Sequence, residues 1–253
     1  MNQRQLQIKQ MLDVAQEVFL KQLKTVFPEV SEMTIRRDLI LLEEMGYAVR
    51  THGGAVSINR FKKAGEDEIE YMIRQSENVD KKAVIAQKAI HLIEKGRSVY
   101  LDAGSTVMCL AKLLTDMKGC TFITSAVNTA LKLSNTDNSI IILGGTVNPN
   151  TVACSGPEAM QMLETMNIDM AVMGASGFSE DRGFSVSSMY DAKLKTRIVE
   201  KARKTIMVVD SSKIDRDKAY TFCELKDIDI WVCDTMPEQK VLDKCSENNV
   251  LVI

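Results

Sequence analysis

From Asp80 onward the chain alternates short, uninterrupted apolar runs with segments of helical periodicity, and this alternation restricts the fold more than any other feature. The runs are 98–102 (SVYLD), 121–125 (TFITS), 139–143 (SIIIL), 169–174 (DMAVMG), 205–210 (TIMVVD) and 229–234 (DIWVCD), with 250–253 closing the set. A strand that is apolar on successive residues is buried on both faces. Helices between such strands supply the two covers, so the pattern predicts a mostly parallel α/β sheet. In these sheets ligands bind where loops leave the carboxyl ends of the strands.

The loop richest in chemistry is DAGST, residues 102–106. It follows one apolar run and precedes a helical pattern at Val107, Leu110, Ala111 and Leu114. Asp102 and Ala103 lead into Gly104, which lets backbone approach a ligand closely. Ser105 and Thr106 bring hydroxyls to the free N–H groups of a helix start, a setting that favours an anion such as phosphate. The same two residues also suit a plain helix cap. Other strand ends carry comparable groups: Thr124 and Ser125, Gly144 and Gly145, then Asp210 and Lys213 in DSSK. Lys195 lies on a helical stretch, 191–202. A lysine there can neutralise a phosphate or simply extend into solvent.

The first sixty residues read differently. Ser31 is a helix N-cap, followed by Ile35, Leu39 and Leu42 at helical spacing. Arg37 points away from that apolar face, Arg36 sits on its flank, and Thr34 lies at the outward N-terminal end. After Gly46 the chain turns extended and reaches a tight turn at Gly53–Gly54, with Arg50, Thr51 and His52 beside it. Upstream, Ile8, Met11, Leu12 and Ala15 follow helical spacing, as do Phe19, Leu23 and Val26 before Pro28 stops the pattern. Three helices and a hairpin describe a winged helix-turn-helix, whose helix start enters the major groove and whose hairpin reaches the backbone. An amphipathic helix with a solvated charged face accounts for the same spacing. Lys/Arg and Asp/Glu balance over residues 1–56, so DNA affinity has to come from local placement of positive charge.

TIRRDL, followed by LLEEMG and VRTHGGAV, closely resembles the DNA-binding signature of the DeoR family of bacterial sugar-metabolism repressors. The resemblance resumes downstream. DAGST is similar to the family's DAG[ST]T loop, IILGG to its strand ending in Gly-Gly, GFSVSSMYDAKLK to its G-x-[ST]…EA-x-x-K segment, and DSSK to its D-x-S-K. Three positions depart from the family pattern: Ser125 stands where Asn is usual, Asp191 where Glu is common, and Ser105 where Thr is frequent. The resemblance implies a small N-terminal winged helix-turn-helix domain (1–56), a linker (57–79) and a Rossmann-like, mostly parallel α/β effector domain (80–253). It also implies a sugar-phosphate-isomerase-like effector fold that binds phosphorylated sugars. DNA contacts would come from Ser31, Thr34, Arg36, Arg37, Arg50, Thr51 and His52. The effector would be held by residues 102–106, Thr124, Ser125, Gly144, Gly145, Lys195, Asp210 and Lys213.

Composition narrows the alternatives. At 253 residues the chain suits two domains, and 45% hydrophobic with 26% charged content is ordinary for a soluble globular protein. No apolar run approaches a membrane span, and the N-terminus lacks a signal peptide's apolar segment, so a cytoplasmic protein is expected. Six scattered cysteines without a CxxC pair predict reduced thiols, and two distant histidines predict no metal site. No G-x-G-x-x-G follows a strand and no G-x-x-x-x-G-K-[ST] occurs, which argues against a nucleotide cofactor and a dinucleotide sensor. The leading expectation is a ligand-responsive transcriptional repressor without catalysis. It would bind double-stranded operator DNA as a homodimer or homotetramer and respond to a phosphorylated sugar. The alternative is a sugar-phosphate isomerase-type enzyme using Asp102, Asp191 or Lys213.

Overall fold

The computed structural model describes residues 1–51, 53–58 and 70–253. It divides into two compact units, Met1–Val79 and Asp80–Ile253.

In the first unit, α1 (Gln3–Ala15) starts from Asn2, whose side chain accepts the Gln5 N–H while the Gln5 side chain returns to the Asn2 N–H. This reciprocal box satisfies two N–H groups that a helix start otherwise leaves open. Helix α2 (Leu20–Val26) and helix α3 (Glu32–Glu44) follow, then a hairpin of β2 (Ala48–Thr51) and β3 (Gly54–Ser57). Ile8, Leu12, Leu23, Ile35, Leu39 and Leu42 are all buried, so the apolar stripe read on α3 faces the core.

The expected helical course through Phe19 is not what forms. Gln16 ends α1 in a left-handed conformation (φ 63°), and Glu17–Phe19 becomes strand β1, pairing antiparallel with β3. The hairpin is thereby the three-stranded sheet β1-β3-β2. Val18 enters the core, whereas Phe19 and Val26 are about half exposed. Gly54 is required by this arrangement, since a Cβ there would lie 1.9 Å from the Val18 carbonyl oxygen. Of the stretch read as a linker, 59–69 fall outside the described residues, while Glu70–Ser76 forms helix α4.

The second unit is built on a sheet of β4 (Ser98–Leu101), β5 (Thr121–Thr124), β6 (Ser139–Ile142), β9 (Met170–Met173), β12 (Thr205–Val208), β14 (Ile230–Val232) and β15 (Leu251–Val252). Its order is β15-β14-β12-β9-β4-β5-β6, and every pairing is parallel. Successive residues serve opposite faces. Tyr100, Ala171, Met173, Met207 and Trp231 enter one core layer; Val99, Leu101, Val172, Ile206 and Val208 enter the other. The second layer is closed by α5 (Val79–Ile90) and α6 (Ser105–Leu113) through Ile85, Ala89, Val107 and Leu110. The first is closed by α8 (Pro157–Glu164), α9 (Met189–Lys201) and α10 (Gln239–Glu247). Helix α7 (Val127–Leu133) links β5 to β6.

Two small antiparallel sheets add to this plan. One pairs β7 (Thr146–Asn148) with β8 (Ala153–Ser155); the other orders β10 (Gly177–Ser179), β11 (Gly183–Val186) and β13 (Tyr220–Cys223). The latter brings Phe178 and Phe184 against Trp231, with ring centroids 4.6–5.1 Å apart. Each such fully buried side chain contributes about 1.5–3 kcal/mol.

Candidate functional site

The recognition-like helix begins with a local cap. Ser31 Oγ accepts the Thr34 N–H at 3.2 Å and lies 2.9 Å from the Thr34 hydroxyl, so both hydroxyls are engaged with each other. Arg36 is tied to Glu32 one turn back at 2.7 Å. Arg50 donates its N–H and its Nε to the two oxygens of Glu43, at 2.9 and 2.6 Å. Thr51 is exposed, and His52 lies outside the described residues. Arg37 is exposed and makes no hydrogen bond or ion pair among the described residues. Of the three arginines singled out, Arg37 alone is exposed without a partner among the described residues.

Asp38 was not singled out, yet it orients the helix. It is buried and accepts from Arg4 Nε at 2.5 Å and Gln5 Nε2 at 2.9 Å, tying α3 to α1. The Arg4 guanidinium is pushed above its ordinary value by that hydrogen bond. The signal was present: Asp38 lies on the stripe of Ile35, Leu39 and Leu42, and a carboxylate on a buried face needs a partner.

In the body, the carboxyl ends of the sheet gather Asp102, Ser125, Gly144, Gly174, Asp210 and Asp234, each just beyond the end of its strand. Asp102 is buried; its Oδ2 accepts the Gly174 N–H at 2.9 Å and the Lys195 ammonium. Lys195 also donates to the Gly174 carbonyl at 3.0 Å and sits 5.3 Å from the Phe222 ring centroid. It is buried, so the solvated-lysine alternative does not hold for α9.

Gly104 opens α6 at φ 153°, with no side chain capping the helix. Ser105 and Thr106 occupy the first helical turn rather than the cap. Among the described residues the N–H groups of Ser105, Thr106 and Val107 have no acceptor. A Cβ at Gly104 would meet nothing within 4 Å, so this backbone is open to approach.

The Thr124 hydroxyl accepts the Ala126 N–H at 3.0 Å, and Ser125 Oγ lies 3.0 Å from the Tyr100 hydroxyl. Burial, then the Asp102 charge, push the Tyr100 phenol far above its ordinary range, keeping it a neutral partner for Ser125. Gly144 is open, whereas Gly145 (φ 118°) is held against β8: a Cβ would come within 2.5 Å of the Ser155 carbonyl oxygen. Asp210 is buried and accepts the Ser212 N–H at 3.0 Å and the Ser212 hydroxyl. Lys213 ends the same 3₁₀ turn, half-buried, and its ammonium has no partner among the described residues.

A second cluster, not anticipated, borders that turn. Asp234 accepts the Ser211 N–H at 2.6 Å and its hydroxyl at 3.0 Å, and Lys81 reaches Ser211 Oγ at 2.7 Å and Asp234 at 3.6 Å. Burial alone would raise the Asp234 carboxyl, but the Ser211 donors hold it below its ordinary value. No local pattern joins Lys81 to a residue 130 positions away.

A helix-turn-helix unit with a three-stranded wing, followed along the chain by an α/β unit with open N–H groups and a lysine without a partner among the described residues at its strand ends, defines a DNA-binding regulator with a small-molecule sensor. Residues 4–61 match the DeoR-like helix-turn-helix domain and residues 77–235 the DeoR C terminal sensor domain. The chain is 34% identical over 234 residues to the HTH-type transcriptional regulator YulB of Bacillus subtilis (strain 168), covering 92% of this chain and 88% of that one. It is 32% identical to the HTH-type transcriptional repressor GlcR of the same organism, over 88% of this chain and 84% of the other. Ribose 5-phosphate isomerase A from Methanocaldococcus jannaschii aligns over 54% of this chain and 55% of its own, at 17% identity and a TM-score of 0.41. The protein belongs to the DeoR family of helix-turn-helix transcriptional regulators. Among the described residues, no helix is long and apolar enough to cross a membrane.

Proposed function

We propose that the protein is a cytoplasmic repressor of a sugar-metabolism operon, released from double-stranded operator DNA by a phosphorylated sugar or related intermediate. The observation that carries the effector class is the uncapped start of α6: three N–H groups behind Gly104, at the carboxyl edge of a parallel sheet that also carries the unpaired Lys213. Backbone N–H groups at a helix start favour a phosphate monoester, and an ammonium on the same edge of the sheet, following β12 with β9 between it and β4, adds positive charge there. Asp102, already bonded to Lys195 and Gly174, is poorly placed to abstract a proton, which favours binding over isomerase-type turnover. The repressor sign follows the relative named as a repressor. A homodimer or homotetramer is expected because one winged head buries too little surface for high operator specificity.

A thermal-shift screen against pentose and hexose phosphates, with and without operator-sized DNA, tests this reading. A ligand at one hundred times its dissociation constant should add about 2.7 kcal/mol. By linkage, DNA and ligand must weaken each other by the same factor, typically about 5- to 150-fold. Gly104→Val should abolish the ligand response and leave operator binding intact, because φ 153° disfavours a side chain and the new methyls occupy the approach to the N–H groups. Turnover of any of these phosphates, or equal ligand affinity with and without operator, would sink the repressor reading.

A further inference from the structure

The first turn of α3 carries an apolar side chain that the fold does not use. Met33 is the second residue of the helix and 62% exposed. At about 100° per residue it stands roughly opposite Ile35 and about 40° from Arg37, one turn on. Single exposed apolar residues are common and need no explanation by themselves. Here the neighbours give the position meaning. The Ser31 and Thr34 hydroxyls are bonded together, and Arg36 is held by Glu32. The groups left to face outward from the first turn and a half are Met33 and the unpaired Arg37.

Operator binding, as proposed above, by a helix-turn-helix whose helix start enters the major groove places this face against base edges, and the inference rests on that reading. In the major groove guanine presents a thioether only with acceptors, and the amino groups of adenine and cytosine give its weakly accepting sulfur at most a weak contact. The thymine 5-methyl group is the apolar feature there, and it is read by apolar contact. We propose that Met33 reads a thymine methyl group in the operator, beside the base or phosphate that Arg37 contacts. Met33 thereby sets sequence preference at one position, while Arg37 supplies charge.

The full-length protein should first select its preferred duplex from a random-sequence DNA pool. Each thymine of that duplex is then replaced singly by deoxyuridine, which lacks only the methyl group. The wild-type chain should lose about fourfold in affinity at one thymine of the recognised site, the worth of one buried methyl group. Met33→Ala should bind the thymine and deoxyuridine duplexes equally, with an unchanged melting temperature because the side chain is exposed. Arg37→Ala should retain the deoxyuridine effect while its salt dependence flattens. If no thymine is felt by the wild type, or if Met33→Ala loses as much as the wild type at the same thymine, the assignment is wrong. A wild-type chain that selects no sequence at all instead overturns the recognition-helix reading, and Met33 falls with it.

Discussion

Asp38 in the head and Asp102 in the body are both buried carboxylates with a basic partner, and the two are neutralised differently. Asp38 in the head is met by Arg4, whose side chain is 26% exposed, and by the neutral amide of Gln5. Asp102 in the body is met by Lys195, 9% exposed, and by a single backbone N–H from Gly174. The first is a strut between two helices, with one partner still able to turn to water. The second is a desolvated ion pair at the edge of the sheet where a ligand would bind. Taking both charges of a pair out of water makes each depend on the other, so loss of one partner should cost far more in the body than in the head.

Asp102→Ala should therefore give the largest effect, about 3–5 kcal/mol, because the Lys195 ammonium loses its counter-charge and keeps only the Gly174 carbonyl and the face of Phe222. Trp231 is the single tryptophan of the chain and is fully buried in this unit, so its fluorescence in urea reads the loss directly. Asp102→Leu combined with Lys195→Met should recover most of it, since the pair is then replaced by apolar volume. An unchanged urea midpoint for Asp102→Ala would remove the contrast drawn here.

Asp38→Ala should cost about 1–3 kcal/mol, the price of leaving the buried Gln5 amide without its acceptor while Arg4 solvates. Amide hydrogen exchange across α1 and α3 should report the loss, and operator affinity should fall with it. The Trp231 midpoint should stay where it is. A matching shift there would show that the two units do not unfold separately.

These two carboxylates also measure how far sequence reasoning reaches. The apolar runs announced the parallel sheet because a doubly buried strand needs no tertiary information to be recognised. DAGST announced its helix start because glycine and hydroxyl residues have local meaning. Asp38 was legible in principle, being a charge on an apolar stripe. The bond from Lys195 to Asp102 spans 93 positions and follows only from the order in which β4, β9 and α9 assemble. Strand β1 was missed for a related reason: three residues carry no period, and Glu17–Phe19 is extended because β3 lies beside it. Ser125 illustrates the limit on the site itself. Its hydroxyl lies 3.0 Å from that of Tyr100, two residues before Asp102, a pairing that no local pattern announces and that leaves the serine further hydrogen-bonding capacity.

A pH titration sharpens the comparison, because Asp169 and Asp234 of the body are carboxyls held below their ordinary value. The Ser98 N–H and hydroxyl, each 3.0 Å from Asp169 Oδ2, hold that carboxyl below its ordinary 3.8. In Asp234 burial pulls upward, but the Ser211 donors prevail and the group again lies low. A carboxyl lower in the folded than in the unfolded chain adds stability that is fully present above the unfolded value. That stability is lost as pH falls through the folded value. The Trp231 urea midpoint should accordingly drop as pH falls below about 4, and Asp234→Asn should drop less steeply. A midpoint that rises on acidification would contradict both assignments.

The smallest effect is expected at the Glu32–Arg36 pair in the first turns of α3, which is neither buried nor shared between elements. Arg36 and Glu32 face each other one turn apart, both about half exposed, with the acid nearer the helix start. Such a pair is screened by salt and contributes about 0.3–0.5 kcal/mol. Arg36→Ala should thus move the thermal midpoint of the head barely, and less still at high salt. Its DNA effect should also be smaller than that of Arg37→Ala, because a bound duplex must first draw Arg36 from Glu32, whereas Arg37 has no competing partner among the described residues. Glu32→Gln separates the two contributions. If Arg36 is merely restrained, releasing it should tighten operator binding and steepen the salt dependence of the association constant, by up to about 0.9 in the log–log slope for one added phosphate contact. If Glu32→Gln leaves that slope unchanged while Arg36→Ala weakens binding as much as Arg37→Ala, then Arg36 already reaches DNA past its acid, and the distinction between the two arginines is lost.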